Sequence, residues 1–154
     1  MKAIYRKLAR EQLDETLKKF RPLIKLSAPA KGWVRAIRDA LGMTGEQFAN
    51  RLNTNKQRIS RIEQDELSGN VTIKTMRNTA EALDCVFVYC LVPKDSLENT
   101  VRRRAKILAH KLMEQSSQTM MLEKQELDLT EESKSLETLT DEIVNSMPKS
   151  LWDE

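Results

Sequence analysis

Apolar positions first fall into helical spacing at Ile4, Tyr5, Leu8, Ala9, Leu13, Leu17 and Phe20, which predicts an amphipathic helix over residues 2–20. Pro22 and Pro29 bracket a non-helical connector. From Gly32 to Asp84 helical segments follow one another closely. The run Cys85-Val-Phe-Val-Tyr-Cys-Leu-Val differs, because β-branched and aromatic residues stand in a row and Pro93 closes it; it predicts a short strand. Asp95 or Ser96 can cap a long helix running to about Leu127. Thr130-Glu-Glu-Ser supplies a cap and an acidic first turn for a last helix that ends by Pro148.

Composition agrees with a mainly α chain. At 154 residues there is room for one ordinary domain plus appendages. With 5% aromatic residues, four Gly and four Pro, the chain is poor in strand formers and turn residues, which argues against a sandwich, a barrel or a disulfide scaffold. No apolar run approaches the roughly 20 residues of a membrane helix, and residues 1–25 lack an apolar leader core. Cys85 and Cys90, five apart, would point to opposite faces of a strand, which is hard to reconcile with a disulfide between them. The expected compartment is the cytoplasm, with no membrane association.

Charge changes the picture further. Residues 1–110 hold 22 Lys and Arg against 12 Asp and Glu, a net +10, whereas residues 111–154 hold 4 against 11, a net −7. A basic body with an acidic end fits a polyanionic partner for the former and a separate task for the latter. Solvated helix faces in both halves explain the same asymmetry.

The informative stretch runs from Thr44 to Glu63. Thr44 followed three residues later by Gln47 is a capping box that starts a helix, with Phe48, Ala49 and Leu52 on its inner side. Asn53 tolerates the left-handed conformation that would break the helix. Asn55 can cap a second helix whose Ile59 and Ile62 face inward, leaving Lys56, Gln57, Arg58, Ser60 and Arg61 outside. Two short helices joined by a tight turn, the second presenting long donors near its start, match the requirement for reading the major groove. Arg and Lys reach guanine O6 and N7, and Gln bonds an adenine edge twice. An ordinary helical hairpin with a basic outer side is the plainer alternative.

From Trp33 to Leu83 the chain resembles the Cro/C1-type (Xre) helix-turn-helix domain of phage repressors. The likeness includes the preceding helix Val34-Arg-Ala-Ile-Arg-Asp-Ala-Leu-Gly-Met and the later helix Thr72-Ile-Lys-Thr-Met-Arg-Asn-Thr-Ala-Glu-Ala-Leu. The resemblance implies that Lys56, Gln57 and Arg61 read bases, and that Thr44, Asn55 and Arg58 make backbone or additional base contacts, with Ser60 on the same outer side. Two positions depart from the family pattern. Gly45 stands where many members carry a phosphate-touching Gln, and Asn53 stands for the usual turn glycine. Gly32-Trp-Val-Arg-Ala-Ile-Arg, Ala82-Leu-Asp-Cys-Val-Phe-Val-Tyr-Cys-Leu-Val-Pro and Met121-Leu-Glu-Lys-Gln are also similar to the family called mobile mystery protein A. Members of that family are encoded beside a Fic-domain protein on mobile elements. That resemblance implies an antitoxin-like, autoregulatory partner of a Fic-type gene product.

The expected fold class is therefore mainly α: a Cro/C1-type helix-turn-helix domain with one short β-strand and flanking N- and C-terminal helices. Its parts are an N-terminal helix and linker (1–29), the DNA-binding domain (30–84), a dimerising strand (85–93) and a C-terminal helical region (94–154). An isolated strand leaves backbone groups unpaired, so pairing with the same strand of a second copy is expected, giving a homodimer on a palindromic double-stranded operator. Partial likenesses to Fic-inhibitory helices occur at Thr119–Glu123 and Ser133–Glu137. The cluster Arg102, Arg103, Arg104 and Lys106 can bind phosphate or pair with the acidic end. Met120, Met121 and Leu122, with Leu108, Leu112 and Met113, fit a core or dimer contact. His110 is the only histidine and has no ligand-spaced companions. No catalytic, cofactor-binding or metal residues are expected, and no enzyme. The expected function is a sequence-specific transcriptional repressor of its own operon; the alternative is an interaction module that directly neutralises a Fic-type toxin.

Overall fold

The computed structural model describes residues 2–121 and 129–153. Its elements in chain order are α1 (Lys2–Lys18), a 3-10 turn (Arg21–Lys25), α2 (Trp33–Ala40), α3 (Gly45–Arg51), α4 (Lys56–Ser68), α5 (Ile73–Ala82), α6 (Leu97–Met121), α7 (Leu129–Ser146) and a second 3-10 turn (Lys149–Trp152). They form two compact units, Pro22–Cys90 and the combination of Met1–Arg21 with Leu91–Glu154.

In the unit Pro22–Cys90, Val34, Phe48, Ala49, Ile59 and Leu83 make the buried core, with Ile37, Met43, Leu52 and Met76 packed against it. The helices are short, so their ends matter. Gly69 caps α4 at φ 76°, and Asn70 N donates to the Asp65 carbonyl in 2.8 Å. Gly32, at φ 80°, precedes α2 and supplies no side-chain cap. The cap comes instead from Glu66 of α4, whose carboxylate accepts from Trp33 N (2.7 Å) and Val34 N (3.0 Å). The positive φ favours glycine at position 32, and a Cβ there would lie 2.7 Å from that carboxylate and push it from its two amides.

In the other unit, α6 and α7 pack through Val101, Ala105, Ala109, Ile143 and Val144, with Leu151 closing the end. Small alanines on α6 let the α7 side chains approach closely. Here α1 departs from its expected orientation. Ile4, Tyr5, Leu8 and Leu13 are exposed, whereas Arg10 is buried and Asp14 and Leu17 are half-buried. The inner side is chosen by polar demand at the start of α6. The Asp14 carboxylate accepts from Leu97 N (2.7 Å) and Glu98 N (3.1 Å), and Arg10 Nε donates to Glu98 in 2.8 Å. Those two amides have no carbonyl within the helix, and the Asp14 carboxylate satisfies them from α1.

The expected strand does not form. Among the described residues there is no β-strand, and residues 85–93 carry no regular secondary structure. Cys85 N still donates to the Ala80 carbonyl (2.8 Å), completing the end of α5, but no backbone hydrogen bond joins residues 86–93 to another described residue. A strand exists only through its ladder, and no second extended segment among the described residues supplies one. Both cysteines are free. No described helix is long and apolar enough to cross a membrane.

Candidate nucleic-acid interface

The capping box expected at Thr44 is present in full. Gln47 N donates to Thr44 Oγ1 (3.2 Å), and Thr44 N donates to Gln47 Oε1 (2.8 Å). The helix this starts, α3, buries Phe48 and Ala49 and runs only to Arg51. Asn53 then takes φ 51°, and Thr54 N donates back to the Ala49 carbonyl in 2.9 Å. Asn at this position therefore serves where glycine would, because its backbone enters the left-handed region at modest strain. Asn55 Oδ1 accepts from Arg58 N (2.8 Å) and starts α4.

At 100° per residue, Ile59, Ile62, Glu63 and Glu66 fall on one inner stripe of α4, and Ile59, Ile62 and Glu63 are buried. Gln57, Ser60 and Arg61 fall on the opposite arc, roughly 100° wide, Lys56 lies at its edge, and all four are exposed. Arg58 is exposed at the side of that arc. None of the Lys56, Gln57, Arg58, Ser60 and Arg61 side chains makes a hydrogen bond or ion pair with a described residue. Thr44 and Asn55 are partly committed to capping, yet the hydroxyl hydrogen of one and the amide NH2 of the other remain to donate. The Lys56 stem passes Gly45, its Cγ 3.6 Å from where a Cβ would sit. A cation is thereby carried beside the N-terminal turn of α3, next to the position that lacks the phosphate-touching Gln.

Two acidic residues, Glu63 at the end of the informative stretch and Glu66 beyond it, tie α4 to α2. Arg38 Nε of α2 donates to Glu63 Oε1 in 2.7 Å, and Arg38 Nη1 donates to the Met43 carbonyl in 2.9 Å. The pair is 13% and 11% exposed, so solvent screens it little. The Glu63 hydrogen bond is the main cause holding the Arg38 guanidinium above its ordinary value, against the opposing effect of burial. Glu66, one turn on, caps α2 as described. The signal was legible: two glutamates stand at i+4 and i+7 from Ile59 on an otherwise apolar stripe, which predicts buried partners.

The basic cluster on α6 is committed elsewhere. Arg102 bridges Glu137 (2.9 Å) and Asp141 (2.8 Å), Lys106 reaches Glu137 (3.5 Å), and Arg104 donates to the Leu151 and Asp153 carbonyls. Of the two open uses for that cluster, the acidic end takes three of the four cations. Glu137, the acid of the Ser133–Glu137 likeness, is thus already held. Thr119–Glu123 falls largely outside the described residues, as do the side chains of Met120, Met121 and Leu122. Leu108 packs against the α6–α7 core, Met113 is half-buried and Leu112 is exposed. Among the described residues no three His, Cys, Asp or Glu side chains are placed to hold a metal.

No curated protein and no solved structure shows significant similarity to this chain. Residues 34–87 match the family model described as helix-turn-helix, whose members are DNA-binding regulators, and the match covers α2 through α5.

Proposed function

We propose that the chain represses its own operon by occupying an operator, as the antitoxin-like, DNA-binding member of a cytoplasmic pair with a Fic-domain protein. One observation carries the DNA reading. The outer arc of α4 presents Lys56, Gln57 and Arg61 without internal partners, while its inner stripe is locked to α2 by Arg38–Glu63 and by Glu66. Donors that are rigidly based and unspent are what base-edge recognition needs. Lys56, Gln57 and Arg61 read bases. Arg58, Thr44, Asn55 and Ser60 touch the sugar-phosphate backbone or add base contacts, fixing the register.

Residues 86–92 supply the second half of the reading. Their unpaired backbone and the exposed Val86, Val88 and Leu91 favour pairing with the same segment of a second copy. Such a homodimer presents two recognition helices about 34 Å apart to a palindromic operator. Sedimentation at micromolar concentration is expected to give a dimer, and a protein that stays monomeric there would sink this part. The Fic pairing rests on the resemblance of Gly32–Arg38 and Ala82–Pro93 to mobile mystery protein A, and a stable complex with the neighbouring Fic product tests it. Direct neutralisation through Ser133–Glu137 would require Glu137 to leave Arg102 and Lys106.

The deciding experiment titrates the protein against its own upstream DNA and a scrambled duplex at several salt concentrations, beside Arg61→Ala. The substitution is expected to cost about 1–3 kcal/mol and to relax preference at one base pair. Unchanged selectivity in a base-by-base operator scan would overturn the role given to Arg61.

A further inference from the structure

The side of α1 that carries Arg10, Asp14 and Leu17 is occupied, and the opposite side is bare. Ile4, Tyr5 and Leu8 are 74%, 67% and 50% exposed, and every residue from 4 to 9 is exposed. Nearly two turns of helix thus stand without packing, a marginal state for a helix in water. At 100° per residue, Ile4, Tyr5, Leu8, Glu11, Gln12 and Glu15 fall within roughly 120° of one another, away from the occupied side. Lys7 flanks Glu11 on one edge of that face. Lys7, Glu11 and Glu15 are exposed, and none of their side chains makes a hydrogen bond or ion pair with a described residue. Charge therefore reverses along the face, with Arg6 and Lys7 in the first half of the helix and Glu11 and Glu15 in the second.

We infer that this face of α1 is a self-association surface that takes the same face of a second copy, running antiparallel about a two-fold axis at Leu8. A two-fold sets each edge of the face against the same edge of the copy. Lys7 then comes opposite the partner's Glu11, offset by about 3 Å along the helix at 1.5 Å per residue, and the pair occurs twice. Leu8 meets Leu8, and Ile4 and Tyr5 cover the aliphatic stem of Gln12. Self-complementarity singles out a second copy as the occupant, because cation and acid stand on one edge at the spacing that the two-fold requires. One short helix face buries less than the ~1,000 Å² of a stable interface. The contact is therefore weak, suited to linking copies already gathered on neighbouring stretches of DNA. It shares no residue with the segment 86–92, so the two self-contacts stand or fall separately.

Sedimentation of the full chain over a concentration series tests this, with Lys7→Glu, Glu11→Lys, the double variant, and an equimolar mixture of the two single variants. Each single variant sets like charges together. Two exposed pairs are lost and made repulsive, so association is expected to weaken about ten-fold. The double variant and the mixture bring opposite charges together again and are expected to associate as the wild type does. Circular dichroism of every variant should match the wild type, because both positions are exposed. Single variants that associate as the wild type does overturn the contact and leave the face to another protein. A loss that neither the double variant nor the mixture restores overturns it as well. Failure of residues 86–92 to pair removes one association step from wild type and variants alike, and the difference between them remains.

Discussion

Glu63→Ala is expected to destabilise the helix-turn-helix unit by about 3 kcal/mol, the lower end for removing one partner of a buried ion pair. The substitution leaves Arg38 desolvated at 13% exposure. Its remaining partners are the Met43 carbonyl (2.9 Å) and Asp39 (3.0 Å), and they limit the loss. Against a domain stability of about 5–15 kcal/mol, such a loss is a large fraction, and operator binding should fall with it because α4 keeps only the Glu66 cap of its two polar ties to α2. Urea denaturation followed by circular dichroism measures the change. A double variant, Arg38→Met with Glu63→Leu, removes both charges and should recover stability to within about 1 kcal/mol of wild type. A loss below about 0.5 kcal/mol in Glu63→Ala, as for a surface pair, would mean that the bridge is solvated and α4 is held by apolar packing and the Glu66 cap.

Replacing Lys56, Gln57 and Arg61 together by Ala should have the converse effect. All three are exposed and partnerless, and Ala favours helix, so the folding midpoint should hold or rise slightly. Operator preference over scrambled DNA should collapse by about 3–9 kcal/mol if the three contacts are independent, each worth about 1–3 kcal/mol. Residual binding would be equal for both duplexes and strongly salt-dependent, carried by Arg58 and the net positive charge of residues 1–110. A triple variant that keeps its sequence preference would move the reading surface off α4. Set against Glu63→Ala, the pair of results separates residues that read from residues that aim.

Much of the candidate site was legible before any fold was known, because its determinants are local. A capping box, a left-handed Asn and an Asn cap act within four residues, so Thr44, Asn53 and Asn55 revealed both helices and the turn between them. The period of α4 likewise separated Ile59 and Ile62 from Lys56, Gln57 and Arg61. What failed was non-local. The run Cys85–Val92 has strand-like residues, but a strand needs a neighbour, and nothing within its own sequence says whether one arrives. The periodicity of α1 predicted its helix but not its contacts: Ile4, Tyr5 and Leu8 are exposed, and Asp14 meets the amides at the start of α6, some 80 residues away.

By itself, then, the sequence determined the helices, their ends and the outward arc of basic and amide side chains on α4, since each follows from forces acting within one or two turns. Only the tertiary structure decided which charges are spent and which remain. Arg38, Arg102, Arg104 and Lys106 meet acids or carbonyls distant in the chain, whereas Lys56, Gln57, Arg58 and Arg61 meet none among the described residues. The physical reason is common to all of these: a side chain's partner is set by where the chain returns in space, and periodicity along the chain carries no record of that.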